Sequence, residues 1–194
     1  MDISIDIVKS LRDRTGLSVM QCKKALEEAG GDVDKAEVLL RKRSSEAADK
    51  KSDREIGAGA VGQYLHDKAI GAMVLLSSET DFVSKNPEFE ALARELAMQV
   101  AATNPQYISS DEIDENAKSA ALAVFKEEVR GKPEDMQEKI LAGKMDSYFR
   151  DSVLLNQPYI KDEGKTVKQL IDEASQKFGE RIEISKFARF SARG

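Results

Sequence analysis

Two β-type runs stand back to back near residue 65, and a third is not met until residue 182. Val61 to His66 has the composition of a strand, Asp67-Lys68-Ala69 of a turn, and Ile70 to Ser77 of an apolar return strand. A hairpin is the direct reading. The last run, with Ile182, Ile184, Ala188 and Phe190 alternating with polar residues, is a terminal strand. The sequence between them has helical spacing. The fold class is therefore α+β, with a small three-stranded antiparallel sheet covered by helices on one side.

The intervening helices carry their own punctuation. Pro87 suits the first turn of a helix, and Phe89, Leu92, Ala93, Leu96, Val100 and Ala101 follow at helical spacing up to Asn104-Pro105. Two further helices are expected at about 115–129, with Leu122, Phe125 and Val129, and at 133–152, with Met136, Ile140, Tyr148 and Phe149. Residues 154–164, with Pro158, read as a loop. Thr166 and Gln169 form a capping box that opens a helix ending at Phe178 before Gly179.

The first 43 residues follow a different plan. Ile3, Ile7, Val8 and Leu11 share one stripe, and Arg14-Thr15-Gly16 breaks it. Ser18 and Gln21 form a capping box for a second helix striped by Val19, Cys22, Leu26 and Ala29 and stopped by Gly30-Gly31. Asp32 caps a third, striped by Val33, Ala36, Leu39 and Leu40. This predicts a three-helix bundle over 1–43, a Ser-, Ala- and charge-rich linker over 44–54 that can be helical at its start, and an α+β core over 55–194. A bundle this small is marginally stable, as befits a docking module.

Composition narrows the chemistry. One cysteine, Cys22, cannot form an internal disulfide, which fits a reducing compartment such as the cytoplasm. One histidine and one cysteine leave almost no room for a His/Cys metal site. A net charge of −5 argues against general nucleic-acid binding, which depends on clustered Lys and Arg. No apolar stretch is long enough to span a membrane, and the start, with Asp2 and Asp6, is not a secretory signal. No cofactor is expected.

Few residues stand out as candidate sites. Thr80-Asp81-Phe82-Val83 lies between a buried strand and a proline-started helix. Phe82 either tucks into the core beneath a turn stabilised by Thr80 or Asp81, or projects as a wedge with Asp81 as the charge beside it. An exposed aromatic on a rigid turn makes a good interface anchor. His66 ends the first strand; a catalytic base would need a positioned nucleophile or orienting carboxylate, and the sequence shows none. Cys22, on an apolar stripe, reads as an inert core thiol. The basic residues of 41–54 are either a solvated linker or a basic arm for RNA or the ribosome, though no interleaved aromatic is present to stack on bases. Gly57-Ala58-Gly59-Ala60-Val61-Gly62 lacks both the Gly-Lys-Ser/Thr ending of a phosphate loop and the dinucleotide spacing.

Together these stretches resemble the elongation factor Ts family. The opening Leu11-Arg12-Asp13-Arg14-Thr15-Gly16, Met20-Gln21-Cys22-Lys23-Lys24-Ala25-Leu26 and Gly31-Asp32 is similar to its ubiquitin-associated-type N-terminal module. Thr80-Asp81-Phe82-Val83 resembles its most diagnostic motif. Gly131-Lys132-Pro133, Glu138-Lys139-Ile140 and Gln157-Pro158-Tyr159-Ile160 resemble its later region. Longer members carry two sheet units, one with the Thr-Asp-Phe-Val motif and one with a Gly-x-Tyr-x-His strand; this chain has room for one unit bearing both. The resemblance implies a non-enzymatic guanine-nucleotide exchange factor for the GTPase elongation factor Tu. It further implies that Thr80, Asp81, Phe82 and Val83 disturb the Mg²⁺ and phosphate end of the GTPase site, while Val19, Met20 and His66 add docking contacts. Because the longer relatives pair two units, a homodimer through the terminal strand around Phe187 to Phe190 is also expected.

Overall fold

The start signals of the N-terminal bundle work as read. A computed structural model describes residues 3–131 and 133–192; Lys132 lies outside them. Helix α1 (Ile5–Thr15) stops at Gly16, whose φ of 68° is a left-handed cap that glycine adopts without strain. Helix α2 (Val19–Glu28) opens with the Ser18–Gln21 capping box, and α3 (Val33–Asp49) with Asp32 accepting from the Lys35 amide. Val8, Leu11, Leu17, Cys22, Ala25, Leu26, Ala36 and Leu40 form their shared core. Val19 departs from its expected place on that stripe. It is the first residue of α2, where the helix leaves the bundle, and is 53% exposed.

Helix α3 runs on to Asp49, through half of the stretch expected to be a linker. Residues 44–49 contain nothing that breaks a helix, and the core gives them a polar partner. Helix α8 (Val167–Phe178) packs along α3. Ser44 bonds Gln176, Ser45 Oγ donates to Asp172 Oδ2 at 2.7 Å, and Arg41 donates to the Gly164 carbonyl at 2.7 Å. Lys51 then donates to the Ser175 carbonyl at 2.8 Å. Small and charged residues that read as solvated are here the polar face of an interface.

The sheet is the predicted one. Strands β1 (Ala58–His66) and β2 (Ile70–Ser78) pair antiparallel, and the last strand, β5 (Ile182–Ser191), pairs antiparallel with β2, giving the order β1-β2-β5. β1 begins within the glycine–alanine run, so that run is strand. Helix α5 (Pro87–Thr103) lies across β1 and β2 on one face. Its crossing is close because of Gly62. A Cβ there would stand 2.0 Å from the Ala93 carbonyl oxygen, so no other residue fits without moving the helix. Val74, Leu76, Phe89, Leu96, Ala97, Val100, Val167, Ile182 and Ile184 fill the core beneath, and Phe89 meets Phe178 edge to face at 5.9 Å.

Among the described residues the opposite face of the sheet is exposed at its outer half. Val61, Leu65, Met73 and Phe190 are exposed there, in register across the three strands: Leu65 faces Gly71, which faces Phe190. β5 carries a bulge opposite Leu75 and Leu76, which shifts its alternation. Phe187 therefore turns inward and packs against the core, while Phe190 is 70% exposed.

The remaining elements are local. A four-residue helix α4 (Asp81–Ser84) follows β2. Helices α6 (Glu115–Glu128) and α7 (Glu134–Arg150) pack on each other around Ala121, Phe125, Met145 and Phe149. The stretch expected as a loop holds a two-stranded ribbon, β3 (Pro158–Tyr159) with β4 (Asp162–Thr166). It is tied down from outside by long-range bonds: Gln99 donates to Gln157 Oε1 at 3.0 Å and accepts from the Ile160 amide at 2.9 Å. The Tyr159 hydroxyl donates to Glu95 at 2.5 Å, and burial together with that bond raises its pKa.

Candidate functional site

The turn after β2 sets up the one exposed aromatic next to a carboxylate that the sequence singled out. Ser78 is buried, and its hydroxyl donates to the Thr80 carbonyl at 3.0 Å. Thr80, extended at φ −126°, is the N-cap of α4. At the far end of this helix Val83 and Ser84 are buried, and the Asn86 amide donates to the Val83 carbonyl at 2.9 Å. Asn86 in turn caps α5 through the Glu88 amide, with Pro87 in the first turn. A single helical turn is thus clamped between a strand end and a capped helix. Val83 faces in, and Phe82 is left 83% exposed. The reading of Phe82 as a core residue is overturned, because one turn can bury only one side and Val83 takes it.

Asp81 stands beside Phe82, and Lys85 hydrogen-bonds it at 2.7 Å, one helical turn on. The Lys85 ammonium holds the Asp81 carboxyl below the usual carboxylate range. Asp81 is thus an anion at neutral pH, paired loosely at the surface and free to exchange its partner. Lys85 was not singled out from the sequence, though its i,i+4 spacing from Asp81 is a readable signal.

His66 lies at the other end of the hairpin. β1 and β2 are nine residues each, so the His66–Ile70 end and the Ser78 end stand ~25 Å apart. His66 is exposed, its Nδ1 3.1 Å from the Tyr64 hydroxyl and its Nε2 3.6 Å from Asp67. Neither neighbour is a buried orienting group. Within one chain the structure does not bring His66 and Phe82 together. Val19 and Met20 are exposed at the start of α2, Met20 at 83%. Cys22 is fully buried, with its Sγ 3.7 Å from the Thr15 hydroxyl.

The basic residues of 41–54 are largely engaged within the chain. Arg41 pairs with Glu37 and Glu173, Lys42 with Glu46, Arg43 with Glu28 and Arg54 with Glu79. A stretch whose cations face its own acids offers little to a phosphate backbone.

Comparison with known proteins decides the family. The family model for Elongation factor TS matches residues 44–193. The chain is 44% identical over 191 residues to Elongation factor Ts of Thermodesulfovibrio yellowstonii, spanning 98% of this chain and 96% of that protein. The chain belongs to the elongation factor Ts family. Elongation factor Ts of Leptospira biflexa is 44% identical over 199 residues and matched end to end in both chains. Thermosipho melanesiensis Elongation factor Ts is 43% identical over 192 residues, 97% of this chain and 98% of that one. The match therefore runs over nearly the full length of these relatives. The family match opens inside α3 and takes in the whole sheet and the Thr80–Val83 turn, while the relatives also cover the bundle. Among the described residues no helix is long and apolar enough to cross a membrane.

Proposed function

We propose that this chain acts in the cytoplasm as a nucleotide-exchange factor, binding elongation factor Tu with GDP bound and speeding GDP release so that GTP can enter. The observation that carries the reading is Phe82, an exposed aromatic on a braced turn beside the Asp81 anion, within a chain of this family. Nothing in the exchange requires a bond to be made or broken, so the chain is not an enzyme of covalent chemistry and uses no cofactor.

The thermodynamics are those of linkage. A factor that binds nucleotide-free Tu more tightly than Tu·GDP weakens GDP by the same ratio. Acceleration requires that factor and GDP be bound together briefly. Phe82 would enter between elements of the GTPase and displace the loops that hold Mg²⁺ and phosphate. Thr80 and Val83 set the turn, and Asp81 offers a carboxylate beside the wedge. Val19 and Met20 would dock the bundle on the GTPase domain, and His66 would contribute from the far end of the sheet. No direct contact with nucleic acid or membrane is part of this reading.

The finer expectation of a homodimer has support in the bare face of the sheet, where Val61, Leu65, Met73 and Phe190 lie exposed together. A two-fold contact there would bring a second His66 toward the Tu engaged by the first Phe82. In this arrangement Phe190 carries the contact and Phe187 does not. Light scattering at micromolar concentration tests it; a mass of 21.4 kDa would refute it.

The exchange reading is tested by stopped-flow release of labelled GDP from Tu. Phe82→Ala should slow release at least tenfold while the chain stays folded. Wild-type release by a folded variant would refute the assignment.

A further inference from the structure

Thr80 is an N-cap that does not cap. A threonine at this position ordinarily accepts a hydrogen bond from an amide in the first turn, but the Thr80 side chain makes no such bond. Its hydroxyl instead donates to Glu180 Oε1 at 2.5 Å, and its backbone N–H donates to Glu180 Oε2 at 3.0 Å. Both oxygens of one carboxylate are thus committed to one residue, a hundred positions away in the chain. Charge-assisted bonds of this kind are stronger than neutral ones and fix orientation as well.

The contact is half of a reciprocal pair. Next to Thr80, Glu79 Oε1 accepts from the Arg181 backbone N–H at 2.5 Å, and Arg54 reaches the same oxygen at 3.1 Å. The bond from the Arg181 amide holds the Glu79 carboxyl below the usual range. Arg181 also donates to the Arg54 carbonyl at 2.7 Å. Each of two segments, Glu79-Thr80 and Glu180-Arg181, therefore offers a carboxylate to the backbone of the other. Glu180 is aimed by Gly179, which ends α8 at φ 78° and turns the chain toward β5.

The clasp lies at the end of the turn that needs it. One helical turn does not hold its shape alone. Val83 and Ser84 secure its C-terminal side in the core, but Asp81 and Phe82 are exposed, and the buried Ser78 hydroxyl, which donates to the Thr80 carbonyl, leaves the Thr80 N–H and side chain to be fixed from elsewhere. The link from Thr80 to Glu180 supplies that constraint. A contact group held in its working pose loses less freedom on binding than a mobile one.

We propose that Glu180 is a positioning residue for nucleotide exchange, clasping Thr80 so that Phe82 projects in one direction. The proposal rests on the exchange reading above. Glu180 does not touch Tu; it acts through Thr80.

The test measures GDP release from Tu across factor concentrations for Glu180→Ala, Glu180→Gln and Phe82→Ala, with amide hydrogen exchange at Thr80. Glu180→Ala should expose the Thr80 amide to exchange and lower the maximum release rate roughly tenfold, the size expected for losing a charged hydrogen bond. The half-saturating concentration should stay within about twofold. Glu180→Gln, which keeps one acceptor oxygen, should fall between wild type and alanine, and it stands in if Glu180→Ala fails to fold. Adding Glu180→Ala to Phe82→Ala should cost little more than Phe82→Ala alone. A protected Thr80 amide in Glu180→Ala would overturn the clasp. So would an unchanged maximum rate while Phe82→Ala is slow, which would leave the exchange reading standing. Wild-type release by Phe82→Ala would overturn both.

Discussion

The two ends of the β1–β2 hairpin are built in opposite ways. At the His66 end the turn itself is made by neighbours, and the end of β5 adds one bond, from the Ala192 amide to the Ala69 carbonyl at 2.8 Å. Asp67 and Lys68 turn the chain at φ 48° and 57°, the Ala69 amide returns to the His66 carbonyl at 2.9 Å, and His66 leans on Tyr64 two residues back. At the Thr80 end the decisive bonds come from far away, from Glu180, Arg181 and Arg54. The local end can form as soon as the hairpin does. The distant end is complete only when β5 has joined the sheet and residues 50–54 have settled against the core. A protein that must present one side chain rigidly gains from such a late, long-range brace, because fluctuations of the hairpin alone do not loosen it.

Phe89→Ala should have the largest effect, since it removes the core support that the two ends share. Phe89 is fully buried between the sheet and α8, and truncating it should destabilise the fold by about 3–5 kcal/mol in urea titrations. Phe82→Ala, seven residues earlier, should change stability by less than about 0.5 kcal/mol in the same assay, because the side chain is 83% exposed. A large stability loss at Phe82 would mean that the turn depends on its aromatic and that the contrast between the two phenylalanines is false.

The local end should respond to a change that obeys only local rules. Lys68 sits in the left-handed region, where a side chain is strained and glycine is not. Lys68→Gly should stabilise the chain by about 1 kcal/mol, read as a higher urea midpoint. A destabilised variant would show that the turn relies on the lysine side chain.

The smallest effect concerns Asp81. Its folded pKa is depressed by Lys85, so whatever this pair contributes is present above the unfolded value of ~3.9 and is lost as pH falls through the folded value. At neutral pH the carboxylate is fully charged. Exchange should therefore show no titration from Asp81 between pH 6 and about 8. Lys85→Ala should move the Asp81 carboxyl back up toward ~3.9 in an NMR titration. An unmoved carboxyl would show that the backbone at the start of α4, rather than Lys85, lowers it.

Much of this was legible without coordinates, wherever the determining residues are neighbours in the chain. Ser18 with Gln21 and Thr166 with Gln169 mark helix starts because a capping box joins residues only three positions apart. The stripe Phe89, Leu92, Leu96 and Val100 identifies the buried face of α5 because a helix repeats every 3.6 residues. The order of the motifs also carries the family. Position in space was not legible. That 44–49 would dock on the core instead of standing in solvent depends on a polar face supplied by α8. The ribbon at 158–166 depends on Gln99. Phe187 joins Ile182 and Ile184 on the buried face, leaving Phe190 outside, because of a bulge before it that the alternation of residues does not announce. Phe82 could be core or surface in the sequence; Val83 took the buried side, and Glu180, a hundred residues on, holds the turn by Thr80. Local pattern is written in short-range backbone preference and side-chain period, which act on residues already adjacent. The direction in which an exposed side chain points is decided by bonds between segments that only the completed fold brings within reach.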